Sequence, residues 1–509
     1  MRQLLLLLAA LGLGFGVAHA QTIGKKVTIS VKNYPADTIL IAHHLGDQQY
    51  VDDTLPVKDG KAVWENPEGK IGGVYLVVLR PKNNYVEFIL NEEAFEISFD
   101  ANDPNATLSS KGSRENEVFY DYMAKAAEVG AEIMEKRKAF DPLNEKKQKN
   151  EELTPKEQKQ FDKLIEELQA LNQKVTDHRL EVVEKHKDEL FVGRLLGMMS
   201  EPELPEELKD ADRLAKYIWY KNSYMSVIDF SDPRFLRTPV YQGRLDRFFE
   251  QVVVQHPDSI NKEADKILKE AKQDSAMFQY NLVKILNKYI ESDIMGMDAV
   301  YIHLIQKYYS QKDLTHWVDD EKRAEMIERA NAMEGTLIGK TAPDFTLVGV
   351  DRQFYTLSNI DADYTIMFIY DPDCGHCKKS APGMVEVANK YKDLGVAFVA
   401  VSATPDPEKW EEFIEKFEFE GHYNLTNLYG RSDYKSKYDL QSTPQVFVLD
   451  ADKTIIAKKL SADQIDSFLA RKMGLEEPAK KEVSPNDQTD SEAEQNIKDR
   501  QSHSPQNHE

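Results

Sequence analysis

Only two cysteines occur in the 509 residues, and they stand three apart in Asp373-Cys374-Gly375-His376-Cys377-Lys378. A disulfide between them closes a ring too small to restrain much of the unfolded chain, so structural crosslinking is a poor use of the pair. A zinc site is another use of Cys-x-x-Cys, but it needs two further ligands and no third cysteine exists. Dithiol–disulfide chemistry is left, with no metal and no organic cofactor. In that reading Cys374 is the nucleophile, and Cys377, one helical turn deeper, is the thiol that resolves a mixed disulfide.

Such chemistry needs a thiolate. A free thiol titrates near about 8.5 and is mostly protonated at neutral pH, whereas one at a helix N-terminus is brought to roughly 3.5–7.5. The apolar run Thr365 to Tyr370 reads as a buried strand, so Cys374 falls where a strand passes into a helix. Helix-end amides and their partial positive charge then favour the thiolate. His376 can add a hydrogen bond or a positive charge toward the sulfur, and stabilising the reduced form makes the disulfide a stronger oxidant. Asp373 opposes it, because a carboxylate beside Cys374 disfavours a second negative charge.

The elements that must position this pair begin at Gly339, where the pattern becomes strand–helix alternation, the mark of an α/β domain. Val396 to Val401 and Gln445 to Leu449 read as further strands, and Trp410 to Phe417 as a helix. Upstream, Val27 to Phe99 alternates with a period of two and is punctuated by Asp59-Gly60 and Gly72-Gly73, which predicts a small antiparallel β domain. His43-His44 lies there, and with no third ligand at a useful spacing these histidines read as strand residues facing opposite sides. Glu115 to His186 is rich in Lys, Glu and Gln and predicts charged helices, with nearly all-polar Glu145 to Lys159 as a mobile helix–helix connection. Between Pro205 and Met333, Phe278, Leu282, Ile285, Leu286 and Tyr289 share one helical face, as do Val300, Leu304 and Tyr308. Asp232-Pro233 and His256-Pro257 interrupt this multi-helix stretch.

The chain is therefore expected to be multidomain. The divisions are a signal peptide (1–20), a β domain (24–110), a charged helical connection (111–200), a multi-helix domain (201–335), the α/β domain (336–474) and a disordered tail (475–509). The signal rests on Arg2, an apolar run from Leu4 to Val17 and a small-x-small site at Ala18-His19-Ala20. It implies a soluble extracytoplasmic product, in the periplasm or beyond, with no stable membrane insertion after cleavage. A net charge of −22 argues against general binding to nucleic acid or anionic lipid.

Cys374 to Pro382 resembles the active-site segment of protein disulfide isomerases in the thioredoxin superfamily, with Pro382 matching the proline that kinks the active-site helix. Gly339-Lys340-Thr341-Ala342-Pro343-Asp344-Phe345 is similar to the opening of the periplasmic TlpA and ResA branch, and Ser442-Thr443-Pro444 to the family's cis-proline loop. The resemblance covers Gly339 to Met473. It implies a thioredoxin-like fold with Pro444 opposite Cys374 and the backbone of Thr443 pairing with an extended substrate. It also implies cysteine-containing client proteins and, for a reductase, a membrane electron donor. The sequence departs from the family in three places: Asp373 replaces the usual Trp, Phe368 the buried acid of thioredoxins, and Ser380 the acid of TlpA/ResA-like reductases. No general base for Cys377 is assigned.

Three functions compete. Thiol–disulfide exchange leads, with reduction favoured over oxidation or isomerisation. A peroxidase like the peroxiredoxins shares Ala342-Pro343-Asp344-Phe345, but Tyr370-Asp371-Pro372-Asp373 lacks the Thr and Pro that a peroxidatic cysteine needs. An interaction protein, whose β and helical domains bind a partner while the redox pair stays peripheral, is the reading from another class.

Overall fold

The computed structural model describes residues 25–46, 48–65 and 71–475. The expected signal peptide (1–20) and residues 476–509 of the expected tail lie outside them. Two compact units are present, one running up to Val252 and including Ala271–Met277, the other formed by Val253–Glu270 and the chain from Phe278 onward.

The first unit opens with eight strands: β1 (Lys26–Lys32), β2 (Thr38–Leu45), β3 (Gln48–Pro56), β4 (Lys61–Glu65), β5 (Gly73–Leu79), β6 (Asn84–Leu90), β7 (Ala94–Asp100) and β8 (Ser109–Lys111). They form two four-stranded sheets, ordered β4-β1-β7-β8 and β3-β2-β5-β6. Alternation works as the sequence implies: Val27, Ile29 and Val31 point inward from β1 and are buried. Aromatic rings join the sheets, Trp64 against Tyr75 at 5.5 Å and Phe88 against Phe95 at 6.1 Å between centroids. All pairings are antiparallel except β1 with β7, which run parallel. The whole second sheet is threaded between those two strands, a connection too long for a hairpin to dictate their direction.

His43 and His44 have separate partners. His43 Nδ1 is 2.5 Å from Asp52, and His44 Nε2 is 3.8 Å from Glu87. Among the described residues no group of three or more His, Cys, Asp or Glu side chains is placed to hold a metal ion.

Two long helices follow, α1 (Arg114–Gln148) and α2 (Pro155–His186). The polar stretch Glu145 to Lys159 is mostly helix end, and only residues 149–154 connect the two. The polarity reflects solvated faces and a strong start signal. Thr154 and Glu157 form a reciprocal capping box, and Glu157 also meets Lys146 at 2.6 Å. Phe140 stacks on Phe161 at 5.1 Å beside Leu143 and Leu164. Farther on, Pro233 and Pro257 interrupt the pattern by starting new helical segments, where a missing N–H costs nothing.

In the second unit, Ile285, Leu286, Tyr289, Val300, Leu304 and Tyr308 are buried as their spacing requires. Helices α3 (Asp298–Leu304) and α4 (Asp320–Glu334) precede a seven-stranded mixed sheet. Its strands are β9 (Thr346–Gly349), β10 (Phe354–Thr356), β11 (Tyr364–Tyr370), β12 (Val396–Ser402), β13 (Tyr423–Thr426), β14 (Gln445–Asp450) and β15 (Ile455–Lys458), in the order β10-β9-β13-β12-β11-β14-β15. Central β11 pairs parallel with β12 and antiparallel with β14. Helices α5 (Gly375–Tyr391), α6 (Pro407–Lys416) and α7 (Ala462–Lys472) contribute to one core with Phe368, Tyr370 and Trp410, while Phe345, Tyr434 and Tyr438 fill another. The chain is multidomain, with a β domain, helices and a C-terminal α/β domain. Among the described residues no helix is long and apolar enough to cross a membrane.

Candidate active site

Strand β11 ends at Tyr370, and the turn that follows delivers Cys374 to the start of α5. The Cys374 amide donates to the Asp371 carbonyl at 3.0 Å, and the Asp373 amide to Asp371 Oδ1 at 2.8 Å. Cys374 is the N-cap residue, with extended backbone (φ −73°, ψ 122°), and its sulfur accepts from the Cys377 amide at 3.3 Å. A capping side chain takes this position to satisfy otherwise unpaired helix-end donors, and here the acceptor is also the reactive atom. Cys377 lies one turn inside and is wholly buried, while Cys374 is partly exposed and both are free thiols.

The two thiols are driven apart. Partial burial pushes Cys374 up, but hydrogen bonds from the side chain and amide of Cys377, from the Thr443 side chain and from the His376 backbone outweigh it, and its pKa falls below the ordinary thiol value. Burial pushes Cys377 strongly up, and its hydrogen bond with Cys374 adds to this. Of the two sulfurs, Cys374 is the one that gives up its proton more readily.

His376 acts on the sulfur through its backbone. The side chain is exposed, and among the described residues its ring makes no hydrogen bond to Cys374. At the second position of α5 the amide faces the N-cap, so amide and side chain serve different surroundings. Asp373 is exposed and its carboxylate meets Lys409 of α6 at 2.6 Å, which together with Lys378 holds it below the usual carboxylate range. The charge expected to oppose the thiolate is thus partly offset by a lysine that nothing near the cysteines in sequence reveals.

On the far side of the sulfur the Thr443–Pro444 peptide is cis, and the Cys374 thiol donates to the Thr443 carbonyl at 3.3 Å. The structure therefore brings together Asp373, Cys374, Cys377, Thr443 and the His376 backbone. Pro382 lies within α5, which continues through it. Of the two positions compared with family acids, Phe368, in place of the thioredoxin acid, is fully buried and stacks on Tyr370 at 5.5 Å, and Ser380, in place of the acid of TlpA/ResA-like reductases, donates from Oγ to the His376 carbonyl at 3.1 Å. Neither position supplies a carboxylate to Cys377.

Residues 337–470 match the family model described as Redoxin. Over 140 residues the chain is 22% identical to the thiol-disulfide oxidoreductase ResA of Bacillus cereus, spanning 26% of this chain and 78% of that protein. This segment is a TlpA/ResA-like domain of the thioredoxin superfamily. The ResA of Geobacillus kaustophilus is 26% identical to it over 136 residues, which are 26% of this chain and 76% of that protein. Among solved structures, a domain of a possible thiol-disulfide isomerase from Cytophaga hutchinsonii is 31% identical, with a TM-score of 0.26, covering 27% of this chain and 95% of that one. A thioredoxin-like protein from Bacteroides caccae is 18% identical, with a TM-score of 0.44, covering 53% of this chain and 98% of that one. The TlpA/ResA-like domain makes the protein a thiol–disulfide oxidoreductase of the thioredoxin family. Residues 26–119 and 145–333 match models described as domains of unknown function, DUF4369 and DUF5106.

Proposed function

We propose that the protein works outside the cytoplasm, exchanging disulfides with cysteine-containing client proteins through Cys374 and Cys377, in the direction of client reduction. The asymmetry of the two thiols carries this reading: an accessible sulfur with a lowered pKa, capped by the helix, stands beside a buried one held protonated. The Cys374 thiolate attacks one sulfur of a client disulfide. A Cys374–client bond forms, the client S–S bond breaks, and its second sulfur leaves as a thiolate. Cys377 then gives up its proton to the client thiolate and attacks Cys374, the Cys374–Cys377 bond forms as the Cys374–client bond breaks, and the client leaves two electrons richer with one thiol and one thiolate, the latter taking its proton from water. A dithiol donor, in this reading a membrane electron donor, returns the pair to the reduced state.

Resemblance to the TlpA and ResA branch supports reduction, and the N-terminal sequence pattern supports export. The Thr443 carbonyl borders the attacking sulfur, and the loop of Thr443 and Pro444 offers backbone groups to an extended client segment. The deciding experiment is a Cys377→Ala chain, which should accumulate client mixed disulfides through Cys374 in the periplasm. Their absence while the variant is folded would sink the exchange reading.

A further inference from the structure

The loop that faces Cys374 is anchored from outside the TlpA/ResA-like segment. Arg329, on α4, donates from Nε to Asp439 Oδ2 at 3.0 Å, and the Asp439 side chain is only 12% exposed. Asp439 has a left-handed backbone (φ 43°), and its carbonyl accepts from the Gln441 amide at 2.7 Å and from Gln445 Nε2 at 3.1 Å. These bonds close residues 439–445 into a loop carrying Thr443 and Pro444. One side chain of that loop is pinned to the helix, and one carbonyl lies 3.3 Å from the reactive sulfur. A second tie lies nearby: Lys458 of β15 is buried in an ion pair with Asp298 of α3 and donates to the Thr336 carbonyl at 2.7 Å. The charges of Lys458 and Asp439 also act on each other.

We propose that Arg329 is a positioning residue for Cys374: by holding Asp439 it fixes the 439–445 loop and thereby sets the place of Thr443 against the attacking sulfur. The proposal rests on the reading of Cys374 as the attacking thiol, and it gives the helices before residue 337 a task in the chemistry. The Thr443 carbonyl accepts from the thiol, but the Thr443 side chain is among the groups that favour the Cys374 thiolate, so a loosened loop that carries this side chain away lowers the thiolate fraction. The link to Asp439 uses one donor rather than a two-pronged clamp, so lysine can replace arginine here.

The test uses the full reduced chain and follows iodoacetamide alkylation of Cys374 by the mass of its peptide, with the Cys374/Cys377 reduction potential measured in glutathione buffers. Arg329→Ala should slow alkylation roughly threefold, within the coupling seen for residues of one ion-pair network. The reduction potential of Arg329→Ala should become more negative, because its thiolate is less stabilised. Asp439→Asn, whose side chain suits a left-handed backbone, should shift both in the same direction. The double variant should be no slower than Arg329→Ala alone, and Arg329→Lys should restore the parent rate. A folded Arg329→Ala or Asp439→Asn chain with parent rate and potential overturns the proposal, as do additive effects in the double variant. If Arg329→Ala does not fold, Asp439→Asn decides. A parent Cys374 no more reactive than a free thiol removes the nucleophile reading itself and the proposal with it.

Discussion

Cys374 Sγ lies between the amide of Cys377 and the carbonyl of Thr443, each at 3.3 Å, so one sulfur is both the cap of α5 and the contact to the cis-proline loop. In the thiolate form it keeps the amide donor and loses the reason to bond the carbonyl. The carbonyl is then available to a client backbone on the face from which attack must come.

This division of labour predicts an ordered alkylation profile. The reactivity of Cys374 should rise with pH and reach half its limit below the free-thiol value of about 8.5, because its pKa is lowered by the Cys377, Thr443 and His376 groups against the effect of burial. Cys377 should resist alkylation until well above that value. Stability of the reduced protein follows with opposite signs. The depressed Cys374 pKa contributes stability above the free-thiol pKa, lost as pH falls through the folded value. The raised Cys377 pKa contributes stability below the free-thiol pKa, lost as pH rises through its folded value. Peptide mass mapping across pH checks the order, and equal profiles for the two sulfurs would contradict it.

A second prediction concerns the charge next to the nucleophile. Lys409→Ala frees the Asp373 carboxylate and should move the Cys374 alkylation profile to higher pH, while Asp373→Asn should move it to lower pH. Both groups are exposed, so each change in rate at neutral pH should stay within about fivefold and shrink in high salt. A profile unmoved by either variant at low salt would remove Asp373 from the tuning of Cys374.

Much of the site was legible in the sequence because its chemistry is local. The cysteine spacing, the strand ahead of it and Ser442-Thr443-Pro444 each sit within a few residues of what they specify. The sequence draws attention to the His376 side chain, and the His376 group that bears on the sulfur in the fold is its backbone amide. Composition reports side chains, and an N-cap reads backbone. Lys409 and Arg329 meet partners 36 and 110 positions away, and no periodicity encodes such pairs. The parallel pairing of β1 with β7 and the burial of Lys458 are hidden for the same reason: tertiary packing decides them.

The capping box of α2 gives a prediction for the first unit. Thr154→Ala removes the hydroxyl that accepts from the Glu157 amide and should cost about 1 kcal/mol in the stability of that helix. Lys146 and the amide and hydroxyl of Thr154 hold Glu157 down to about 2. The Glu157 contribution is therefore present above its usual range and lost as pH falls through about 2. In Glu157→Gln this pH-dependent loss should vanish, which helicity measured during acid titration would detect.

The buried pair Lys458–Asp298 yields the last prediction. The two side chains are 6% and 4% exposed, and burial pulls Lys458 below the usual ammonium range while Asp298 pushes it back. Removing one partner leaves a desolvated charge behind, so Lys458→Met should destabilise the second unit by about 3–5 kcal/mol. Replacing both, Lys458→Met with Asp298→Leu, removes the stranded charge and should recover most of the loss, because two apolar side chains escape the desolvation cost of the ion pair. The Thr336 carbonyl would still lose its donor, so recovery should fall short of the parent by roughly 1 kcal/mol. Urea unfolding followed by fluorescence from Trp410, in the fully buried core of this unit, would report the series. A double variant as unstable as Lys458→Met alone would mean that the pair supplies net attraction beyond its desolvation cost.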